Sequence, residues 1–544
     1  MTEEQFRSRD TTHNEITLAG LLDAVTAAVP DRLAVIAGPR RMTYAVLNER
    51  ATRFARHLLR YGIAPGEHVA ILSFNRGEWL EAAFGALRAG AVPINVNYRY
   101  VAGELRYLLD DADAAALVVE RSLAAPVETI RAELPRLRHV VLLDDGTDHD
   151  PTPGVDYETA MASAADEPDV PACPGGADAE ARYLIYTGGT TGMPKGVVWR
   201  QADIFHAALE RRRPGEARAR HPGELGERAR QCRPRRMLVL GPLMHAAGQW
   251  NALSMLFNGK TVVLNTARTF DPAEVVALAD RESAHIVQLV GDAMARPLAQ
   301  QLLTQPRLCP SLDTVTSGGT PLTPAVRELW FRWRPGITLT DSYGGSETGV
   351  CGAAETEGGT RSFTMGASVA VLDDGMRPLP PGSQQVGRIA RSGRIPAGYY
   401  NDPEASARTF PVDGEGRRWV MSGDLGMVSE DGTIVLLGRG SAVINTGGEK
   451  VYPEEVESVL TAHPEVGDAI VVAAPDESLG QRVAAVISPS AGASPAPDEL
   501  RRHCRRQLAG FKVPRAFHVV AHVQRTAVGK QDYRWAASVV GGAG

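Results

Sequence analysis

Apolar positions along the chain fall into short runs whose period switches between helical and strand-like. Over Leu18–Val29 and Tyr44–Tyr61 they recur at helical spacing. In the second segment Leu47, Ala51, Phe54, Ala55 and Leu58 fall on one face, which predicts an amphipathic helix. Short β-rich runs follow at His68–Ser73, Ala91–Asn95, Ala115–Val119 and His139–Leu143, with helical stretches such as Trp79–Arg88 between them. The alternation continues through Arg236–Leu240, Thr261–Leu264, Ile286–Val290 and Thr314–Ser317. Strands alternating with helices predict βαβ units and a largely parallel sheet.

Two segments break this rhythm. Asp144–Glu180 is rich in Asp, Pro, Gly and Ala and reads as a surface connection. Glu210–Arg236 carries ten arginines among several glutamates. Its mixed signs favour a solvated lid or surface segment over a phosphate site. The texture changes after Gly438. Val451–Thr461 and Pro497–Leu508 read as helices, Ala469–Ala474 and Val483–Ser488 as strands, and Pro489–Pro497 as a loop. Turn residues around Gly438 and Gly440 suit a hinge, so the division expected is a domain over 1–438 and a smaller one over 439–544.

Composition narrows the class. A chain of 544 residues exceeds what one hydrophobic core serves, which agrees with two domains. With 44% hydrophobic and 22% charged residues the profile is globular rather than disordered. A net charge of −6 provides no basic field for nucleic acid. No apolar run approaches the roughly 18–20 residues of a membrane span. The polar stretch Met1–Asn14 lacks the apolar centre of a secretory signal. Cys173, Cys232, Cys309, Cys351 and Cys504 are scattered, without a CxxC pair, which fits a reducing cytoplasm and argues against a structural zinc site.

One string carries chemistry. Tyr186-Thr-Gly-Gly-Thr-Thr-Gly-Met-Pro-Lys-Gly196 follows the apolar run Tyr183–Ile185. Glycines let the backbone approach a phosphate and turn N–H groups toward it, threonine hydroxyls add donors, and Lys195 adds a positive charge. It is not a Walker A loop, because Pro194 precedes Lys195 and Gly196 follows it.

This string resembles the phosphate loop of the adenylate-forming superfamily: acyl-CoA synthetases, peptide-synthetase adenylation domains and beetle luciferases. Further blocks resemble that superfamily in order and spacing over nearly the whole chain. They are Pro242-Leu-Met-His-Ala-Ala-Gly248, Ser317-Gly-Gly-Thr-Pro321, Asp341-Ser-Tyr-Gly-Gly-Ser-Glu-Thr348, Ser422-Gly-Asp-Leu-Gly426, Gly438-Arg439 with Asn445-Thr-Gly-Gly-Glu-Lys-Val-Tyr-Pro453, and Arg525-Thr-Ala-Val-Gly-Lys530. The phosphate loop and the ending Gly-Lys-Gln-Asp-Tyr-Arg-Trp535 are most similar to actinobacterial-type fatty-acyl and steroid-acid CoA ligases. The fold implied is mixed α/β: a large multi-sheet N-terminal domain with αβαβα layering and a small mobile α+β C-terminal domain.

The resemblance also implies roles. Thr187, Gly188, Gly189, Thr190, Thr191 and Lys195 would meet the ATP phosphates. Ser346 would lie near the α-phosphate, and Glu347 would hold Mg²⁺, which prefers such hard oxygen donors. Gly318, Gly319, Thr320, Tyr343 and Gly344 would frame the adenine, with Asp424 and Arg439 on the ribose. Lys530 would be the catalytic lysine brought by the small domain. Gly447, Gly448, Glu449 and Lys450 would form the CoA tunnel. His245, Trp250, Ser317 and Ser342 would line the acid pocket, with Gln249 and Phe205–Ala208 as further candidates. The hinge pivot, often Asp or Lys in the superfamily, is Ala442 here.

The implied activity is ATP-dependent conversion of a fatty, steroid or aryl acid to its adenylate and then to a CoA thioester. The alternatives are adenylation of nitrite followed by capture by an aryl amine, loading of a carrier protein, and, from another class, a non-catalytic nucleotide or acyl binder. Dimers are common in similar enzymes, which leaves a homodimer open.

Overall fold

The computed structural model describes residues 16–147, 153–164, 181–187, 193–212, 216–319, 322–357, 360–366, 368–439, 442–446, 449–476, 480–508, 510–526 and 531–541. The amphipathic pattern of the second segment becomes the helix Tyr44–Arg60, and all five residues of its predicted face are fully buried. Thr43 caps it, its Oγ1 accepting from Val46 N. The neighbouring helix Gly77–Arg88 is buried along its whole length. The continuous apolar character of the adjacent runs has the same cause, since strands covered on both faces need no polar side.

Four sheets organise the described residues. A five-stranded parallel sheet joins Val92–Asn95, His68–Leu72, Ala114–Glu120, His139–Leu143 and Val155–Asp156. A 13-stranded sheet has a parallel half, which runs from Leu33–Ala37 through Thr261–Leu264, Arg236–Val239, Ile286–Leu289 and Thr314–Gly318 to Thr338–Gly345. Beyond Thr338–Gly345 its strands turn antiparallel, with Trp419–Val428 and Ile434–Arg439 among them and Val369–Leu372 at the edge. A three-stranded antiparallel sheet pairs Arg182–Thr187 with Lys195–Arg200 and adds Gly398–Tyr399. Past residue 441, a further sheet of five strands is built around the long hairpin Val466–Asp476/Gly480–Pro489, with its own core of Ile444, Val456, Leu460, Val471, Ala485 and Leu500. The parallel pattern expected from the sequence therefore holds for one whole sheet and half of the largest one.

Three readings need correction. The segment Asp144–Glu180 is not only a connection: it contributes the edge strand Val155–Asp156 and the helix Tyr157–Ser163. Tyr157 is buried against Phe54, ring centroids 5.4 Å apart, and its hydroxyl donates to Glu81. The Arg-rich segment lies largely at the surface, as expected, but it is also packed into the fold. Its helix Pro222–Gln231 buries Leu225 and Ala229 against the first helix, Leu18–Ala28. The two approach so closely that a Cβ on Gly226 would lie 2.7 Å from the Ala24 carbonyl oxygen. Finally, Val451 ends a short strand, Glu449–Val451, and the helix starts at Pro453, whose missing N–H suits a first-turn position. Among the described residues no helix is long and apolar enough to cross a membrane.

Candidate active site

The phosphate-loop string is a β-hairpin. Thr187 and Lys195 are the last cross-strand partners of its two paired strands, Arg182–Thr187 and Lys195–Arg200. Gly188, Gly189, Thr190 and Thr191 lie outside the described residues. Gly196 is required by packing: a Cβ there would sit 2.9 Å from the Tyr186 ring. The Tyr186 hydroxyl donates to Asp111 Oδ2 at 2.7 Å and anchors the hairpin to the end of the helix Ala102–Asp111.

The third strand of this sheet brings in residues the sequence reading missed. Tyr399 pairs with Val197, and Tyr400 N donates to the Gly196 carbonyl. Asp402, the N-cap of the helix Pro403–Thr409, then accepts from Lys195 Nζ at 2.7 Å. That hydrogen bond holds the Asp402 carboxyl below its usual range. Lys195 also lies 5.4 Å from the centroid of the Tyr399 ring. The Tyr399 hydroxyl donates to Glu347 Oε1 at 3.1 Å. Trp199 Nε1, on the same hairpin, donates to the Ser346 carbonyl at 2.9 Å. Lys195, Asp402, Tyr399 and Glu347 thus form one connected polar chain from the phosphate hairpin to the turn that carries Ser346 and Glu347.

The nucleotide side is built on parallel strands. Ser317 and Gly318 pair with Asp341 and Ser342, which puts the two loops predicted for the adenine side by side. Gly319 takes φ +92°, a conformation that favours glycine. The buried Asp341 accepts from Leu322 N at 3.3 Å, and Asp292 accepts from Thr323 N at 2.9 Å and Thr323 Oγ1 at 2.6 Å. These two carboxylates fix the chain on the far side of Thr320, itself outside the described residues. Tyr343 is not open on both faces: its ring lies 4.6 Å from that of Phe363, tilted by 46°. Its hydroxyl donates to Asp424 Oδ2 at 2.7 Å, and Ser422 Oγ donates to the same oxygen at 2.9 Å. Burial, then the neighbouring Asp424, pushes the Tyr343 phenol well above its ordinary range, so it serves as a donor. Asp424 is the cross-strand partner of Arg439.

The acid side lies past His245, which precedes the helix Ala246–Phe257 as its N-cap residue. Trp250 is both core and wall: it is buried, its Nε1 donates to the Tyr183 hydroxyl at 2.9 Å, and it borders the cleft. Gln249 Oε1 accepts a hydrogen bond from the Tyr183 hydroxyl and is structural. Ser317 Oγ accepts from Gly291 N at 3.0 Å, which makes it a brace as well as a wall. Phe205 is core, while His206 and Ala207 reach the cleft.

Lys530 lies outside the described residues, but both flanks of its loop are fixed. Arg525 and Gln531 form an antiparallel bridge. Arg525 makes a bidentate pair with Asp468 (Nε–Oδ2 3.0 Å, Nη2–Oδ1 2.5 Å). Gln531 Nε2 donates to Glu457, whose other oxygen accepts from Val471 N at 2.8 Å. Burial raises the Glu457 carboxyl well above the usual range. Gly447 and Gly448 are likewise outside the described residues; Glu449 and Lys450 lie in the short strand paired with Ile444–Thr446.

All of this surrounds one cleft of about 2290 Å³, walled by Lys195, Glu347, Tyr343 and Asp424 from the large part and by Asp468 and Arg525 from the small one. Among the described residues no three His, Cys, Asp or Glu side chains converge as a metal cage. A divalent ion here would rest on Glu347, oriented by Tyr399, and on the phosphates of a nucleotide, the manner in which Mg²⁺ is usually held.

A layered α/β body, a phosphate hairpin and a small sheet closing over a shared cleft define the class: a nucleotide-dependent activating enzyme. The AMP-binding enzyme family matches residues 22–400, and its C-terminal domain matches residues 455–530. The chain belongs to the AMP-binding enzyme family. It is 40% identical over 531 residues to the medium/long-chain-fatty-acid–CoA/3-oxocholest-4-en-26-oate–CoA ligase of Mycobacterium tuberculosis, covering 96% of this chain and 95% of that one. It is 38% identical to the 3-oxocholest-4-en-26-oate–CoA ligase of Rhodococcus rhodochrous, covering 97% and 96%. The solved anthranilate CoA ligase AuaEII in complex with anthranoyl-AMP has the same fold, with a TM-score of 0.82 at 23% identity over 97% of this chain and 98% of that one.

Proposed function

We propose that this protein is an AMP-forming acid–CoA ligase acting on an acid with a hydrophobic body. A carboxylate oxygen of the acid attacks the α-phosphorus of ATP, the bond to the β-phosphate oxygen breaks, and pyrophosphate leaves. The thiolate sulfur of CoA then attacks the acyl carbon of the adenylate, and AMP leaves. Both reactants of the first step are anions, so positioning and charge neutralisation dominate its barrier. Lys195 neutralises phosphate charge, Glu347, oriented by Tyr399, would hold a Mg²⁺ that would supply Lewis-acid polarisation, and Asp424 orients the ribose. Lys530 meets the charge that develops at the α-phosphate.

The observation that carries this reading is the single cleft of about 2290 Å³ shared by both parts of the chain. Ordinary small-molecule pockets measure about 300–1,000 Å³, so this one has room for a nucleotide, an acid and a thiol in succession. The relatives act, by their names, on medium and long fatty acids and a steroid side-chain acid, and that substrate class is carried over here. The use of ATP and CoA supports a cytoplasmic location.

The test is pyrophosphate release from ATP with a panel of acids, with and without CoA, together with mass identification of the acyl-CoA. Acid-dependent release and a thioester product are expected. Release with nitrite and an aryl amine, but with no acid, refutes the reading.

A further inference from the structure

The acid side of the cleft carries an excess of positive charge that adenylation does not use. Arg211 lines the cleft. Its side chain is exposed, but the surrounding protein is dense enough that burial lowers its pKa. Its hydrogen bonds go only to neutral groups: Nη2 donates to Asn251 Oδ1 at 2.6 Å and Nε to Ser254 Oγ at 3.0 Å. Among the described residues no carboxylate pairs with it. Two more guanidinia of the same wall also bond to neutral oxygens: Arg218 Nη1 to the His206 carbonyl at 3.1 Å, and Arg391 Nη1 to the Val350 carbonyl at 3.0 Å. The one carboxylate among them, Glu210, is already engaged by His206 Nδ1 at 2.8 Å, Ala219 N at 2.7 Å and Arg228 Nη1 at 3.2 Å.

A guanidinium that lines the cleft without a counter-ion favours an anion beside it, and its planar fork matches a carboxylate. Asn251 and Ser254, which orient Arg211, share a face of the helix Ala246–Phe257 with Ala247 and Trp250. They lie six and nine residues beyond His245, a reach of about 9–14 Å along a helix axis. Between the two points the wall is apolar, from Ala246, Ala247 and Trp250.

We propose that Arg211 binds a second carboxylate at the far end of the acid, so that the enzyme activates one end of a medium-length α,ω-dicarboxylic acid. The inference rests on the acid–CoA ligase reading and narrows its substrate. The reach corresponds to a saturated diacid of roughly 8–12 carbons.

Decanedioate and decanoate, matched in length, are compared in the pyrophosphate-release assay with the full chain, ATP, Mg²⁺ and CoA. The wild type is expected to favour the diacid by about tenfold or more in kcat/KM, the scale of one charge-assisted pair. Arg211→Met is expected to raise KM for decanedioate by a similar factor, with kcat little moved, and to lower KM for decanoate. Arg211→Lys should restore part of the diacid preference. Preference of the wild type for decanoate overturns the inference and leaves the ligase reading intact. An equal loss of both activities in Arg211→Met, not relieved in Arg211→Lys, marks a structural role and also overturns it. No turnover with any acid overturns the ligase reading and this inference with it.

Discussion

Tyr343→Phe removes one oxygen from the nucleotide site and leaves the ring packed against Phe363. Among the described residues Asp424 Oδ2 then keeps the Ser422 hydroxyl, at 2.9 Å, and loses that of Tyr343. A hydrogen bond to a charged group contributes about 1.5–3 kcal/mol. Asp424 is half-exposed, so water replaces part of what is lost. The share that reaches nucleotide binding, the cost of reorienting the carboxylate, is about 1–1.5 kcal/mol, a rise of about five- to tenfold in the KM for ATP. Initial-rate pyrophosphate release and calorimetric titration of AMP both measure it. The discriminating control is the nucleotide. With 2′-deoxy- and 3′-deoxy-ATP, the penalty should vanish for the analogue lacking the hydroxyl that Asp424 accepts from, because the deletion and the missing hydroxyl remove the same interaction. An unchanged KM for ATP, or a fall in kcat alone, would refute the assignment of Asp424 to the ribose.

Two further outcomes are expected. Lys530→Ala should slow adenylation by roughly 10²–10³, the loss typical of one preorganised donor, while CoA thiolysis of a supplied acyl-adenylate proceeds; single-turnover measurement of each half-reaction separates them. A second expectation concerns pH and stability. His57 Nε2 and His139 Nε2 lie 2.8 Å apart in the core, and each imidazole is depressed to about 4, chiefly by burial. The unfolded chain binds more protons between pH 6.5 and 4, so stability is full above about 6.5 and falls as pH drops through that window, by about 3 kcal/mol for each imidazole at its acid end. Urea midpoints at pH 7.5 and pH 5 measure this; equal midpoints would refute it.

The strands His139–Leu143 and Thr261–Leu264 were legible to the residue because both faces are covered and the apolar run is unbroken. The helix Pro222–Gln231 was not, although Leu225 and Ala229 carry the i, i+4 signature. Its arginines lie on the other faces and raise the mean polarity of the whole segment. The proposed nucleotide residues could be named from the sequence because blocks of adjacent residues carry them. Tyr399 and Asp402 were missed because they act across the fold: Asp402 lies 207 positions from Lys195. Asp402-Pro403 does have the signature of a helix start, and the structure uses it so. Nothing local announces that the same carboxylate also meets the phosphate-loop lysine, and Arg211 was hidden in the same way inside a segment read as solvated.

The Lys195–Asp402 contact gives the resting enzyme an internal stand-in for phosphate. Both side chains are about a third exposed, at 37% and 35%, so the pair is weak, about 0.2–1 kcal/mol, and yields readily to a multiply charged ligand. If Lys195 meets the ATP phosphates as proposed, ATP would displace the Asp402 carboxylate on arrival, and the carboxylate would return as pyrophosphate departs, so that Asp402 would work against product retention.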